Sequence, residues 1–441
     1  MSQASLVDTL RQALIARPDG SLRVAFSGGP DSTALLHALT NLPEARARGL
    51  CALHVDHGLH PDSRRWADRC REFCARLDVP LDIRQVEVDN RSGMGLEAAA
   101  RDARLAVFAR LLQPGEYLLT AHHRDDQAET VLLKLLRGAG PEGLGGMRER
   151  RPLAAGWLWR PLLNTPREAL TSYLRSHALD SIDDPSNESS ALARSFLRQN
   201  IMPRLSAHWP RATLAISHSA RLNRQTADYL HLCAAEALEN LLCATDGSLD
   251  APGWLALHPA LQGPVLDQWL HAQGFASPTL AQRDQLQQQI RHASGGRVPL
   301  VQWPGTAVHV WRKRLHAHAP LPDAPAAWRS PWHGEELTLP AMSGMLRLLP
   351  AAAGNTPTST PEFDVTLGDI GVRLRPAGDP HTRELRDLFQ QAAIPPWRRR
   401  RCPLIHDRNG TLLAVADLWQ TEAGKNFFDA LGRRPQWSPA A

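Results

Sequence analysis

Ser27, Gly28, Gly29, Pro30, Asp31 and Ser32 read SGGPDS between an apolar run, Leu22 to Phe26, and a stretch with Ala34, Leu35, Ala38 and Leu39 on a helical period. A glycine turn between a strand and a helix frees backbone N–H groups to wrap a phosphate at the positive end of that helix. Asp31 adds a carboxylate for Mg²⁺ and Ser32 a hydroxyl for a phosphate oxygen. The same letters also suit a Ser or Asp N-cap after a Gly turn. Unlike the G-x-x-x-x-G-K-S/T loop of γ-phosphate-transferring NTPases, the run carries no lysine. A second group, AHHRDDQAET from Ala121 to Thr130, ends a strand and opens a helix. Spacings of four and three bring His122, Asp126 and Glu129 to one face at the strand's C-terminal edge, with Asp125 beside them. Helix N-terminal capping by acids is the simpler use of such residues.

Other residues stand at comparable positions. His54, Asp56 and His57 end the second strand, where His54 also suits a satisfied core position. In LEAAARDAR, Glu97, Arg101 and Arg104 share a helical face at i, i+4 and i+7, as an exposed ion-pair stripe or a phosphate-facing patch. WRRRR, Trp397 to Arg401, sets a basic run beside an aromatic, either a nucleic-acid backbone contact or an exposed basic loop.

Positioning these groups requires alternating strands and helices from Leu22 to about Leu163, the signature of a parallel α/β sheet. The strands expected are Leu22 to Phe26, Leu50 to His57, Leu81 to Val88 and Glu116 to His123, followed by an extended stretch from Trp157 to Leu163. The helices expected among them are Ser63 to Leu77, Leu96 to Leu112 and Asp125 to Leu136. From Ala212 to His292 there is almost no strand signal, and Leu, Ala and Gln recur at helical spacing. His316 to Ala327 is Pro- and Ala-rich and reads as a linker. From Trp328 onward β-like runs accompany one helix near Thr382 to Ala392. The domains expected are therefore 1–211 (catalytic), 212–316 (helical), 317–327 (linker) and 328–441 (α+β).

Composition agrees with a soluble protein of several domains. The 441 residues exceed one core at about 100–200 residues per domain. At 43% hydrophobic and 22% charged, the chain has no apolar run long enough to span a bilayer. Its N-terminus lacks the plan of a secretory signal, so a cytoplasmic location is expected. Six cysteines without a C-x-x-C pair read as reduced thiols and argue against a zinc ribbon or redox dithiol. A net charge of +5 is compatible with a polyanionic partner.

SGGPDS resembles the loop of the N-type ATP pyrophosphatases (PP-loop enzymes), which split ATP between the α- and β-phosphates. The order and spacing of HVDHGLHPDS (His54 to Ser63), AHHRDDQAET, RGAGPEGLGGM (Arg137 to Met147), WRPLL (Trp159 to Leu163) and DPSN (Asp184 to Asn187) are similar to the motifs of bacterial tRNA(Ile)-lysidine synthetases. Arg373 to Trp419 resembles that family's C-terminal domain. In RSFLRQNIMP, Arg194 and Arg198 keep the family's places, while Ser195 stands where asparagine is usual, and Leu105 stands where an aromatic usually follows Arg104.

The resemblance implies an α/β PP-loop domain, a helical domain and a small α+β C-terminal domain. It implies ATP as co-substrate with Mg²⁺, and tRNA(Ile) with a CAU anticodon and L-lysine as partners, with no protein partner required. The ATP pocket would comprise Ser27, Gly28, Gly29, Pro30, Asp31, Ser32, His54, Asp56 and His57, with Mg²⁺ on Asp31. Catalytic roles fall to Asp31, Arg101, His122 and Asp126; Asp125, Asp126 and Glu129 would hold lysine's ammonium, and the histidine and acids would accept its proton. Arg104, Arg194, Arg198, Arg398, Arg399, Arg400 and Arg401 would meet tRNA. Cytidine O2 would attack the α-phosphate, and the lysine ε-amine would then displace AMP at C2. A tRNA thiolase of the same superfamily would need cysteines suitably placed, which these six are not; a non-enzymatic tRNA-binding protein would not need Asp31 with the His122 to Glu129 group.

Overall fold

In the computed structural model the described residues are 5–17, 19–58, 60–86, 96–182, 193–292, 298–324, 328–350 and 361–439. They divide into two compact units, Met1–Tyr229 and Leu230–Ala441. Helix α1 (Leu6–Ile15) buries Leu6, Leu10 and Leu14, one residue per turn, and Ser5 caps it by accepting the amide of Asp8. There follow β1 (Leu22–Ala25), α2 (Pro30–Thr40), α3 (Pro43–Ala47), β2 (Cys51–Asp56), α4 (Ser63–Arg76) and β3 (Leu81–Gln85). Next come α5 (Leu96–Leu111), β4 (Tyr117–Leu119), α6 (Arg124–Leu135), α7 (Pro141–Leu144), β5 (Arg150–Leu153), β6 (Gly156–Trp159) and α8 (Arg167–Ser176).

The sheet runs β3-β2-β1-β4-β6-β5 and is parallel except for the β5–β6 hairpin. Because β2 and β3 lie on one side of β1 and β4 on the other, the C-terminal ends of β1 and β4 flank a topological switch point, where open α/β sheets bind ligands. Leu22, Val24, Leu35, Leu36, Leu39 and Trp159 are fully or almost fully buried in the core beneath that edge. The short helix α9 (Ala193–Phe196), a π-helical turn (Leu197–Ile201) and α10 (Met202–His208) complete the first unit's fold up to α11 (Ala212–Leu241), within which the unit boundary falls.

In the second unit, β7 (Leu249–Asp250), α12 (Ala251–Ala256), α13 (Pro259–Ala272) and α14 (Leu280–Arg291) precede β8 (Leu300–Trp303), β9 (Thr306–Trp311) and β10 (Arg314–His318). Trp254, Leu266, Trp269 and Leu315 lie in their shared core. Residues 328–350 and 361–439 form a five-stranded antiparallel sheet, a three-stranded one and a pair of two-residue strands around Trp332, Phe389, Ile405 and Phe428.

Several expectations are corrected. The segment 212–316, expected to be helical, also holds an antiparallel sheet of β7, β10, β9 and β8; the last three follow the helical stretch that ends at His292, and β7 is only two residues long. The stretch read as a linker begins inside β10. Two further helices, Pro396–Arg399 and Glu422–Leu431, join the expected one, which is Leu385–Gln391. The fourth strand stops at Leu119, four residues earlier than expected. All six cysteines are free, and no helix among the described residues is long and apolar enough to cross a membrane.

Candidate active site

The chain leaves β1 and enters α2 through Gly28, whose φ of +80° lies in the left-handed region that favours glycine. A Cβ on Gly28 would sit 2.4 Å from Ile182 Cδ1 and 2.9 Å from Cys70 Sγ, so the position is closed to side chains on steric grounds as well. The Gly28 carbonyl accepts from the Ile182 amide at 2.8 Å and from Thr33 Oγ1 at 3.2 Å. Ser27 and Ser32 hydroxyls lie 3.1 Å apart, and Ser32 donates to the Gly29 carbonyl at 3.0 Å. The residue at the N-cap of α2 is Gly29, with Pro30 at N1 and no side-chain cap. The alternative of a Ser or Asp side-chain cap is therefore not what these residues form, and the positive end of α2 is available to an anion.

Asp31 turns instead toward the helix that follows β4. His123, 1% exposed, is the N-cap of α6, and it forms a reciprocal capping box with Asp126. The Asp126 amide donates to His123 Nδ1 at 3.4 Å, and the His123 amide donates to Asp126 Oδ2 at 3.0 Å. With Nδ1 an acceptor, the ring proton resides on Nε2, which is 3.5 Å from Asp31 Oδ2 and 3.4 Å from Asp126 Oδ2. Burial alone would lower the His123 pKa, but the bond to Asp31 and the charges of Asp126, Asp31 and Asp125 outweigh it and raise the value. Sequence reasoning passed over His123 in favour of His122; the signal that could have found it is its place immediately before an acid-rich first turn.

Asp126 and Glu129 meet two arginines. Glu129, its side chain 2% exposed, accepts from Arg194 Nε at 2.9 Å and from Arg198 Nε at 2.7 Å, while Asp126 Oδ1 accepts from both Nη2 atoms at 3.1 and 2.9 Å. Arg194 and Arg198 keep 27% and 34% of their side chains exposed, and Arg198 lies in the π-helical turn. Two expectations change here. Glu129 is enclosed by guanidinium groups and presents no open face to an ammonium; Arg194 and Arg198 are each held by Asp126 and Glu129 and keep only an outer edge exposed, where sequence alone left them unpaired. Asp125 is more open at 32%, with one oxygen accepting the Arg167 amide at 3.0 Å.

His122 bonds through Nδ1 to Thr120 Oγ1 at 2.8 Å. Burial first, only partly opposed by the charge of Asp126 and reinforced by Arg160, Arg194 and Arg104, lowers its pKa to about 3. It is therefore neutral at neutral pH. Burial alone would raise the Asp126 pKa, but the neighbouring His123, Arg194 and His122 and the bond from the His123 amide outweigh it and lower the value.

Of the residues expected to line an ATP pocket, His54 is buried and its Nδ1 meets the Phe26 carbonyl at 2.9 Å, so the core-histidine alternative describes this ring. Asp56 accepts the Gly58 amide at 2.9 Å, and His57 stands near the charge of Arg104. Arg101 and Arg104 are exposed on α5. The Glu97 side chain and the DPSN motif, residues 184–187, lie outside the described parts of the structure.

In the second unit, Trp397 lies parallel to His309 at 4.2 Å between ring centroids, and His318 stacks on it at 5.7 Å. Arg401, 7% exposed, donates to the carbonyls of Ala341 and Pro322, and Arg399 Nε to that of Ile394 at 2.9 Å. Arg398 and Arg400 are exposed. The run of four arginines thus contains two outward ones, whereas Arg401, expected to meet tRNA, is buried and ties three chain segments together.

A parallel sheet with a glycine-turned anion loop at its switch point, linked to a second acid-rich helix start, defines a PP-loop nucleotide-binding enzyme, and the PP-loop domain family matches residues 3–205. The TilS substrate binding domain family matches residues 249–316, and the TilS substrate C-terminal domain family residues 363–437. The chain is 40% identical to the tRNA(Ile)-lysidine synthase of Xanthomonas axonopodis pv. citri, covering 97% of this chain and 96% of that one. It is 38% identical to that of Xanthomonas campestris pv. campestris, with 97% of each covered. Against the tRNA(Ile)-lysidine synthase of Yersinia pseudotuberculosis, identity is 35%, covering 91% and 90%. The chain belongs to the tRNA(Ile)-lysidine synthase family, a family of ligases.

Proposed function

We propose that this enzyme joins L-lysine to C2 of the wobble cytidine of tRNA(Ile) with a CAU anticodon, using ATP, so that the product reads AUA in place of AUG. The observation that carries this reading is the contact between His123 and Asp31, which couples the anion loop after β1 to the acid and arginine cluster after β4. One pocket can then serve two successive reactions. Cytidine O2 attacks the α-phosphate of ATP, and pyrophosphate leaves into the field of the α2 N-terminus and the Ser27, Gly28 and Gly29 loop. The ε-amine of lysine, having lost a proton, then attacks C2, and AMP departs with its electron pair on the phosphate oxygen.

Asp31, one-third exposed, fits Mg²⁺ bound jointly with phosphate oxygens, as that ion is usually held by one or two carboxylates plus substrate. Mg²⁺ there would neutralise phosphate charge. For lysine, the cluster carries both signs. Its open acid, Asp125, suits the α-ammonium, and the outer edges of Arg194 and Arg198 suit the α-carboxylate, leaving the ε-amine free to react. Glu129 and Asp126 hold the two arginines in place. His54, Asp56, His57, Arg101 and Arg104 are assigned to the nucleotide side, and Arg398 and Arg400 to the tRNA backbone. We retain the division into catalytic (1–211), middle (212–316) and C-terminal (328–441) domains, the last two gripping the tRNA.

The test is ATP turnover to AMP and pyrophosphate, measured with and without tRNA(Ile) and lysine. Turnover that requires tRNA supports the reading. Turnover indifferent to tRNA contradicts it.

A further inference from the structure

Arg160 follows β6 directly at the C-terminal edge of the sheet and is 5% exposed. Among the other buried charged residues, Glu116 faces Arg23, Asp126 and Glu129 face Arg194 and Arg198, Asp56 accepts the Gly58 amide, and Arg401 binds two carbonyls and feels the opposite charge of Asp323. Arg160 donates through Nη1 to the Arg148 carbonyl at 2.7 Å, its Nε has no partner, and it forms no ion pair with any described residue. Burial first, then the like charges of Arg151 and Arg101, lower its pKa to about 10, and the charges of Arg160 and Arg104 in turn act on His122. A buried cation among cations is unfavourable unless an anion completes the set.

The location decides which anion. Thr120 donates its amide to the Trp159 carbonyl, so Arg160 stands level with the chain leaving β4, beside His122. With β4 between β1 and β6, Arg160 is two strands from the anion loop, about 10 Å across the sheet. A group held here is therefore different from the phosphate seated on the α2 N-terminus. A guanidinium fork backed by other arginines matches phosphoryl oxygens in geometry as well as charge.

We propose that Arg160, with Arg101, forms a second phosphate-binding site at the C-terminal edge of β6, for either the diphosphate end of ATP or a phosphodiester flanking the wobble nucleotide. The inference rests on the functional reading above and deepens it. The site is complementary to the loop site: one end of a polyanion rests on α2, and another phosphate neutralises Arg160.

The test uses Arg160→Met and Arg160→Lys in the full chain, with two probes, inorganic pyrophosphate and a synthetic CAU anticodon stem-loop RNA, followed by calorimetric titration and thermal unfolding. Without probes, Arg160→Met should unfold no earlier than wild type, because it removes a buried charge that lacks a counter-ion. It should lose at least about tenfold in affinity for one probe, with Arg160→Lys intermediate because the charge remains and the fork does not. Loss for pyrophosphate assigns the site to ATP, and loss for RNA assigns it to the tRNA backbone. Should Arg160→Met fail to fold, Arg160→Lys carries the comparison. Affinities within about twofold of wild type for both probes in a folded variant overturn the site. Lysine incorporation by the wild-type enzyme is measured alongside: its absence undermines the functional reading, whereas normal incorporation with unaltered probe binding rejects only the Arg160 site.

Discussion

His123 Nε2 lies 3.5 Å from Asp31 Oδ2 while its Nδ1 accepts the Asp126 amide, so one ring joins the turn after β1 to the first turn of α6. The two functions can be separated by substitution. Asn presents an oxygen where Nδ1 stands and retains the cap, whereas Gln presents a donor near Nε2 and loses it. His123→Asn is expected to keep stability within about 1 kcal/mol and to lose at least about tenfold in pyrophosphate release. His123→Gln should show the reverse pattern, with stability lowered by about 1 kcal/mol and turnover better preserved. Thermal unfolding and a pyrophosphate-release assay on both variants check this. Equal turnover in the two would mean that the Asp31 contact is incidental.

Glu129 is the acid that the two arginines enclose most completely. Glu129→Gln leaves Arg194 and Arg198 with half their counter-charge in a buried setting, which should cost about 3 kcal/mol in denaturant unfolding. Pairing it with Arg198→Met should cost less than the sum of the single changes, because the second substitution removes the charge that the first strands. Additive losses would contradict the coupled arrangement.

How much of this was legible beforehand varied with range. The strand-loop-helix order around SGGPDS and AHHRDDQAET follows from periodicity and glycine placement, both local properties. The partners of Glu129 do not: Arg194 and Arg198 stand 65 and 69 residues away in sequence, and nothing in their own segment distinguishes a phosphate-facing arginine from one facing a carboxylate. Arg401 was misread for the same reason, since its burial depends on carbonyls 60 and 79 residues distant. The sheet of β7 to β10 was missed because β7 is two residues long and β8 to β10 begin in the segment between the helical stretch and the Pro-rich run, where no pattern was read.

His122 provides a pH prediction. Its pKa is lowered from an ordinary value near 6.5 to about 3, so between those values the unfolded chain binds a proton that the folded chain does not. The resulting stabilisation is present above pH ~6.5 and is lost as pH falls toward ~3, on the order of a few kcal/mol in total. Substitution of His122 by Asn should flatten the stability profile across that window, which unfolding midpoints at a series of pH values will reveal. An unchanged slope would place the titration elsewhere.

Arg398 and Arg400 are the outward members of the basic run. Replacing both with Ala should lower the slope of log affinity for tRNA against log salt by about 1.5 to 2, about one counterion per contact, with little change in unfolding. Arg401→Ala should instead destabilise the second unit by about 1–3 kcal/mol, because it leaves the Ala341 and Pro322 carbonyls without their donor. A tRNA affinity series in salt, paired with thermal unfolding, separates the two outcomes. A salt slope unaltered by the double substitution would remove this loop from the tRNA surface.

The most direct measurement is incorporation of radiolabelled lysine into unmodified tRNA(Ile) bearing a CAU anticodon, with ATP present, followed by nuclease digestion to locate the label. The account predicts about one lysine per tRNA, confined to the wobble nucleotide, with AMP and pyrophosphate formed in equal amounts and with no incorporation when ATP is omitted or Asp31 is replaced by Ala. Label found at another nucleotide, or ATP consumed in the presence of tRNA without any lysine transferred, would contradict it.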